Sequence, residues 1–200
     1  MSKTTASAAP DPYKRFATWY RKAERLDIPL YNTMTLATVG PNQRPSARMV
    51  LLKEFDERGF TFYTNYESRK GQELEKNPHV ALVFWWQPLN RQIRIEGKVN
   101  KVSEEESDAY FVTRPRGYRI GAWASDQSRQ VTGSKALVKA FLKFTAKFKT
   151  RPVPRPPSWG GCRVSPSRIE FWTQRANRLH ERIEYCREKN GGWTMQFLAP

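Results

Sequence analysis

Several basic side chains stand where a cation is costly unless an anion answers it. Ser68-Arg69-Lys70 opens a predicted helix. A helix N-terminus carries partial positive charge, so bases are disfavoured in its first turn. An anion held by free backbone N–H groups and both bases would account for the pair. The plain alternative is two side chains pointing into water. In Arg48-Met-Val-Leu-Leu-Lys53, strand alternation puts Arg48, Val50 and Leu52 on one face and Met49, Leu51 and Lys53 on the other. Charges bracketing an apolar strand either end in water or grip an anion, because burial without a partner costs free energy. In Arg178-Leu-His180-Glu-Arg182, a strand would project Arg178, His180 and Arg182 from one face, about 6–7 Å apart. They repel unless an anion lies across them, or unless the strand is a charged sheet edge. Tyr110 and Arg114 lie four apart near a helix end and share a face. An arginine there also complements the helix dipole. Gln127-Ser128-Arg129 follows Trp123 in a loop and can donate to an anion or a ring.

Other chemistries find less support. No Ser-His-Asp or Cys-His set is visible, and no carboxylate pair stands out. The 2 histidines, His79 and His180, and the 2 cysteines, Cys162 and Cys186, are too few for most metal sites or a disulfide framework. Arginines and lysines among aromatics and amides suit a bound phosphorylated cofactor that supplies the chemistry. The formal charge of +16 fits anionic ligands in general. Between Arg114 and Arg155 the only acid is Asp126, among eleven Lys and Arg. Mean hydropathy is −0.75. No run of about 18 apolar residues predicts a membrane-spanning helix. Residues 1–10 are polar and small, lack the apolar stretch of a secretory signal, and read as a disordered tail. The expected location is cytoplasmic.

The positioning elements follow from periodicity. Asp11-Pro12 opens a helix to about Arg25, with Phe16, Trp19, Tyr20 and Ala23 on one side. Residues 33–39 and 46–53 read as strands around a Gly40-Pro41-Asn42 turn. A turn at 56–59 leads to a strand at 60–64, expected to pair antiparallel with the strand before it. The helix at 68–76 stops before Asn77-Pro78. Residues 79–86 read as a buried strand. Residues 92–102 alternate, with Ile93, Ile95, Gly97 and Val99 on one face. Ser103 caps a helix to about Thr113, with Glu106 completing a capping box. At 133–149, Leu137, Phe141, Phe144 and Phe148 predict a buried stripe opposite a solvated face of Lys135, Lys139, Lys143 and Lys147. An extended proline-rich connector at 151–158 precedes strands at 162–172, 179–187 and 193–198. Many short strands with few helices predict a mainly β antiparallel barrel with helical additions, one domain over residues 11–200. No internal repeat, Gly-rich dinucleotide fingerprint or P-loop is present.

The segments Arg48-Met-Val-Leu-Leu-Lys53, Phe62-Tyr-Thr-Asn65, Ser68-Arg-Lys70, Arg114-Pro-Arg116, Ile120-Gly-Ala-Trp123, Gln127-Ser128, Trp159-Gly-Gly161, Glu170-Phe-Trp172 and Arg178-Leu-His180 occur in that order. Together, over nearly the whole chain, they closely resemble the pyridoxamine/pyridoxine 5'-phosphate oxidase family. The resemblance implies an FMN-binding split β-barrel, a homodimer, and one FMN at each of two interface sites. It implies that Arg48, Arg69 and Lys70 hold the FMN phosphate. Met49, Val50, Leu51, Lys53, Tyr63, Thr64, Ser68, Gln92, Gln127, Ser128, Trp172 and Arg182 match the rest of the flavin site. Lys53, Tyr110 and Arg114 match positions gripping the substrate phosphate. Arg178 and His180 match positions over the pyridine ring and are the candidate catalytic residues. The implied chemistry moves a hydride equivalent from substrate C4' to flavin N5. Pyridoxamine or pyridoxine 5'-phosphate becomes pyridoxal 5'-phosphate, and O2 reoxidises the flavin to give hydrogen peroxide.

Two departures from the family pattern bear on substrate. Tyr118 stands where a serine usually helps hold the substrate phosphate. The usual basic, tyrosine-containing segment ahead of Asp11-Pro12 is replaced by residues 1–10. One alternative is a related flavin oxidase of another small ring, such as a phenazine precursor. Lys53, Arg114 and Arg178-Leu-His180 suit a phosphorylated pyridine better. The other is a basic barrel that binds RNA or DNA, which the net charge fits, although no stacking motif of the RRM kind is present.

Overall fold

The structure, a computed structural model, describes residues 11–200; the expected tail lies outside the described residues. Helix α1 (Pro12–Arg25) begins where Asp11 accepts from Tyr13 N at 2.8 Å. Strands β1 (Thr33–Val39), β2 (Pro45–Leu51), β3 (Glu54–Asp56) and β4 (Gly59–Asn65) follow. After α2 (Arg69–Lys76) come β5 (His79–Trp86) and β6 (Arg91–Lys101). Three helices, α3 (Glu104–Thr113), α4 (Arg116–Ala124) and α5 (Ser134–Lys147), precede β7 (Trp159–Thr173), β8 (Glu181–Arg187) and β9 (Trp193–Phe197).

All strand pairs are antiparallel, in the order β2-β1-β5-β6-β7-β4-β3, with β8 and β9 continuing from β7. The sheet curls as the expected split barrel. β7 makes this possible by serving two neighbours in succession along one edge. Its first part pairs with β4 and its last part with β8, while β6 runs along the other edge. The register shifts between Glu96 and Gly97, where a bulge bends the pair. A Cβ on Gly97 would sit 2.2 Å from Ser165 O, so only glycine lets the strands approach there.

Alternation fills the interior with Met34, Leu36, Leu82, Phe84, Ile93 and Ile95. α1 lays its apolar stripe on this core. Phe16 is fully buried and meets Phe55, Phe60 and Phe84 edge to face. A second, smaller cluster of Phe111, Ile120, Phe148, Val153 and Trp159 gathers α3, α4 and the start of β7. Among the described residues no helix is long and apolar enough to cross a membrane.

The structure departs from the periodicity in four places. The hairpin before β4 is made by β3, while β2 pairs with β1. Leu52 and Lys53 leave the ladder between them. Ser103 caps α3 by accepting from Glu106 N at 3.1 Å, but the Glu106 carboxylate does not return to the cap. It pairs with Arg58 at 2.8 Å and Arg163 at 3.0 Å, which offer more than a backbone N–H does. On α5 the expected buried stripe is realised only at its C-terminal end, where Phe144 is half-buried and Phe148 buried; Leu137 and Phe141 are exposed. α4 was not anticipated. Gly117 and Gly121 weaken its intrinsic propensity, and packing of Ile120 and a bond from Trp123 Nε1 to Pro154 O at 2.7 Å hold it instead.

Phe16→Ala should cost about 3–5 kcal/mol of stability, the range for deleting a fully buried aromatic ring. Denaturant unfolding measures this, and a loss below about 1 kcal/mol would contradict the assignment of Phe16 to the central core.

Candidate active site

A cleft of about 1020 Å3 opens between the β2–β4 edge of the barrel and the helices above it. From the barrel come Met49, Val50, Leu51, Lys53, Tyr63 and Thr64, and from α2 Lys70. From the helical side come Tyr110, Arg114, Tyr118 and Gln127. Distant stretches of the expected site thus share one wall or the other.

One end of the cleft is aromatic. Tyr63 and Tyr110 stack with centroids 3.9 Å apart, and Trp159 lies parallel at 5.3 Å from Tyr63. Gly161 allows this, since a Cβ there would fall 2.9 Å from the Tyr63 ring. Burial pushes the Tyr63 hydroxyl well above its ordinary range, so it stays protonated. Arg114 ends α3 and turns its guanidinium over Trp159, 4.5 Å from the centroid. Its Nη1 is buried without a hydrogen-bond partner, and burial lowers its pKa. A buried donor left open is costly and rare, and Arg114 belongs to the lining of the cleft.

The charge pattern separates two kinds of cation. Lys70 Nζ donates only to neutral oxygens: Gln127 Oε1 at 2.9 Å, Thr64 Oγ1 at 3.1 Å and Ser68 Oγ at 3.2 Å. Burial, then the nearby Arg48 charge, lowers its pKa. Among the described residues Lys53, Lys70 and Arg114 make no ion pair. Arg48 and Arg69 do not line the cleft. Both bind the buried Glu73, Arg48 through Nη2 and Arg69 through Nε, each at 2.9 Å. Burial pushes the Glu73 carboxyl up, but hydrogen bonds from Thr38, Arg69 and Arg48 outweigh it and hold the group below the usual carboxylate range. Ser68 caps α2, donating to Asn65 O at 2.6 Å. Ser128 has φ 71° and lies outside the cleft.

Gln92, Trp172, Arg178, His180 and Arg182 gather elsewhere and do not line this cleft. Gln92 and Arg182 flank Trp172 across the sheet, and the His180 ring lies 4.6 Å from that of Trp172. Arg178, His180 and Arg182 do not share a strand face as expected. Arg178 ends a short 3-10 turn, Ala176–Arg178, and β8 begins only at Glu181. Asn177 and Arg178 have φ of 54° and 60°, a left-handed corner that turns the chain off the strand. The expected repulsion is also relieved within the chain. Arg182 binds the buried Glu170 at 2.8 Å. His180 Nδ1 accepts from Arg175 N at 3.2 Å, which leaves Nε2 as the outward nitrogen.

Sequence reasoning did not single out Glu73 and gave Glu170, quoted only within a motif, no role; these are the two carboxylates that fix these arginines. The four-residue spacing from Arg69 to Glu73 was the available signal. Glu170 had none locally, because its partners Arg94 and Arg182 come from neighbouring strands. Neither cluster presents an activated nucleophile. What the cleft offers is three cations, Lys53, Lys70 and Arg114, beside stacked rings.

Residues 22–148 match the family profile described as pyridoxamine 5'-phosphate oxidase. Residues 159–200 match that of the pyridoxine 5'-phosphate oxidase C-terminal dimerisation region. The chain is 54% identical to a pyridoxine/pyridoxamine 5'-phosphate oxidase of Nostoc punctiforme, covering 95% of this chain and 89% of that protein. It is likewise 54% identical to one of Rubrobacter xylanophilus, over 96% and 88%. Among solved structures, PhzG from Burkholderia lata, in complex with tetrahydrophenazine-1-carboxylic acid, superposes with TM-score 0.90 at 30% identity, covering 96% of this chain and 94% of that one. A pyridoxamine 5'-phosphate oxidase-related, FMN-binding protein of Nostoc punctiforme shares the fold, with TM-score 0.76 at 17% identity over 96% and 100%. With both parts of the chain matched, and relatives above half identity over nearly its whole length, this chain belongs to the pyridoxine/pyridoxamine 5'-phosphate oxidase family of oxidoreductases.

Proposed function

We propose that the protein is a homodimer that binds FMN and oxidises pyridoxamine 5'-phosphate and pyridoxine 5'-phosphate with O2. The products are pyridoxal 5'-phosphate and hydrogen peroxide; the amine substrate also consumes one water, which hydrolyses the imine, and releases ammonia. One observation carries the reading: Lys53, Lys70 and Arg114 share a cleft floored by stacked rings, and none has a carboxylate partner among the described residues. Two phosphate-bearing ring molecules would satisfy that set. FMN would supply the redox chemistry, taking two electrons from the substrate and passing them to oxygen.

The chain's own residues bind and orient. Lys70, with Arg48 and Arg69, would hold the cofactor phosphate, and Thr64 and Gln127 already aim the lysine. Arg114, Lys53 and Tyr110 would take the substrate phosphate, with Arg114 held flat by Trp159. Tyr118 lines the same side of the cleft from α4 and is mostly exposed, so its hydroxyl can reach in without crowding Arg114. Arg178 and His180, away from the cleft of their own chain, would reach the substrate ring in the cleft of a second copy. The matched dimerisation region, which contains both residues, supports that arrangement. Anchoring both rings at fixed separation is the protein's main contribution to rate.

The phenazine reading draws on the likeness to PhzG, but at 30% identity that likeness is well below the 54% shared with the named oxidases. Three unpaired cations also suit two phosphates better than one carboxylate.

Purified protein should show flavin absorbance in the blue and near-UV, and should turn over pyridoxamine 5'-phosphate with one peroxide per aldehyde. A colourless protein, or a yellow one inactive on both phosphorylated substrates, would end the proposal. Arg178→Ala should lower turnover far more than flavin content; loss of colour with unchanged rate per flavin would reverse its assignment. Arg114→Met should raise KM for pyridoxamine 5'-phosphate by roughly 10- to 100-fold, the scale of a lost charge-assisted hydrogen bond. The same change should leave unphosphorylated pyridoxamine nearly unaffected. Equal effects on both would remove Arg114 from the phosphate site.

A further inference from the structure

The geometry points to Glu73 as the positioning residue of the cofactor-phosphate cradle: its buried carboxylate joins Arg48 of the barrel to Arg69 of α2 and sets the charge that the cradle presents. The inference rests on the FMN reading above.

Glu73 sits on the second turn of α2, one turn beyond Arg69, and its side chain is 5% exposed. Its two oxygens divide the work. Oε2 accepts from Arg48 at 2.9 Å and from Thr38 Oγ1 at 2.6 Å, both on the β1–β2 hairpin. Oε1 accepts from Arg69 Nε at 2.9 Å. Arg48 is held further by Thr38 Oγ1, Ser46 Oγ and Leu36 O. The carboxylate therefore ties the N-terminal turn of α2 to the hairpin and fixes two guanidiniums from separate elements. Arg69 uses only Nε in this network, which leaves its terminal nitrogens for a ligand.

The arithmetic of charge agrees. Arg48, Arg69 and Lys70 contribute three positive charges and Glu73 one negative, which leaves two. A phosphate monoester carries about −1.5 to −2 at neutral pH. Without Glu73 the three cations would repel one another whenever the cofactor was absent. A carboxylate that served only to bury one arginine would need neither the second guanidinium nor a place beside Lys70.

The two possible roles predict opposite signs. If Glu73 is only a nearby negative charge, neutralising it should tighten the binding of an anion. If it positions the cradle, the same change should loosen binding although the site becomes more positive. The test titrates the flavin-free full-length chain with FMN and with riboflavin, which lacks the phosphate, and follows flavin fluorescence. Glu73→Gln should weaken FMN by roughly tenfold, the scale of a lost charge-assisted contact, and change riboflavin affinity by less than about twofold. FMN affinity that is unchanged or higher, or an equal loss for both flavins, overturns the inference. If Glu73→Gln does not fold, Thr38→Val carries the test. It removes the Thr38 bond to Oε2 and to Arg48 without altering charge, leaves the Arg48–Glu73 pair, and should give a smaller loss, again confined to FMN; unchanged FMN affinity overturns the proposal. Wild-type protein that binds no FMN defeats the underlying FMN reading, an outcome separate from a wild type that binds FMN and a variant that matches it.

Discussion

Positive charge held in a confined space is the constraint on which the rest of the structure depends. Two unit charges about 4 Å apart repel by about 4 kcal/mol at an effective dielectric near 20. A chain carrying +16 must therefore decide which cations to neutralise internally and which to leave open. Here the division is sharp. Glu73 answers Arg48 and Arg69, and Glu170 answers Arg94 and Arg182. Among the described residues Lys53, Lys70 and Arg114 receive no carboxylate, and all three line one cleft. Exposed lysines elsewhere cost little because water screens them. Arg114 has no such relief, since part of its guanidinium is buried without a partner.

An unsatisfied site of this kind must be offset by stability elsewhere, and the barrel supplies it. The aromatic packing around Phe16 and the long β6–β7 ladder bury residues that do not line the cleft. The same strands place the site. β4 carries Tyr63 and Thr64 on successive positions and ends where the loop to α2 turns Lys70 back toward Thr64. Strand geometry thus fixes residues six apart in sequence to within a hydrogen bond. The helices above are held by a separate small core, and Trp159, at the start of β7, belongs both to that core and to the ring stack.

Much of this was legible in the sequence, and the failures share a cause. Strands whose alternation reflects burial, such as β1, β5 and β6, match their predicted ranges closely because side-chain period and sheet geometry are the same fact. The bases at Arg48 and in Ser68-Arg69-Lys70 stood out because they occupy locally unfavourable places, and Arg114, favourably placed at a helix end, stood out only by its spacing from Tyr110. What could not be read was decided by partners distant in sequence. α4 forms despite two glycines because tertiary packing outweighs propensity. The Arg178–Arg182 segment was read as one strand, yet two left-handed residues and the Glu170 pair divide it. The α5 stripe was read as buried, yet the described chain leaves Leu137 and Phe141 exposed. Periodicity reports an apolar face without naming what covers it.

The separation of the two expected clusters bears on why the proposed enzyme should need two copies. Trp172, His180 and Arg178 sit at the far part of β7 and the corner beyond it, while the cleft is built on the near part, beside Trp159. Both therefore ride on one 15-residue strand, which cannot fold back to bring its own ends together. A second chain related by a two-fold axis has no such restriction. In an isologous pair, whatever one copy gives to its partner's cleft it receives in its own, so a single arrangement completes two sites. The rigid strand that keeps the clusters apart within a chain then becomes the ruler that sets their spacing between chains. The left-handed corner at Asn177 and Arg178 takes Arg178 off the strand line, at a conformational cost of about 1–2 kcal/mol for a residue other than glycine.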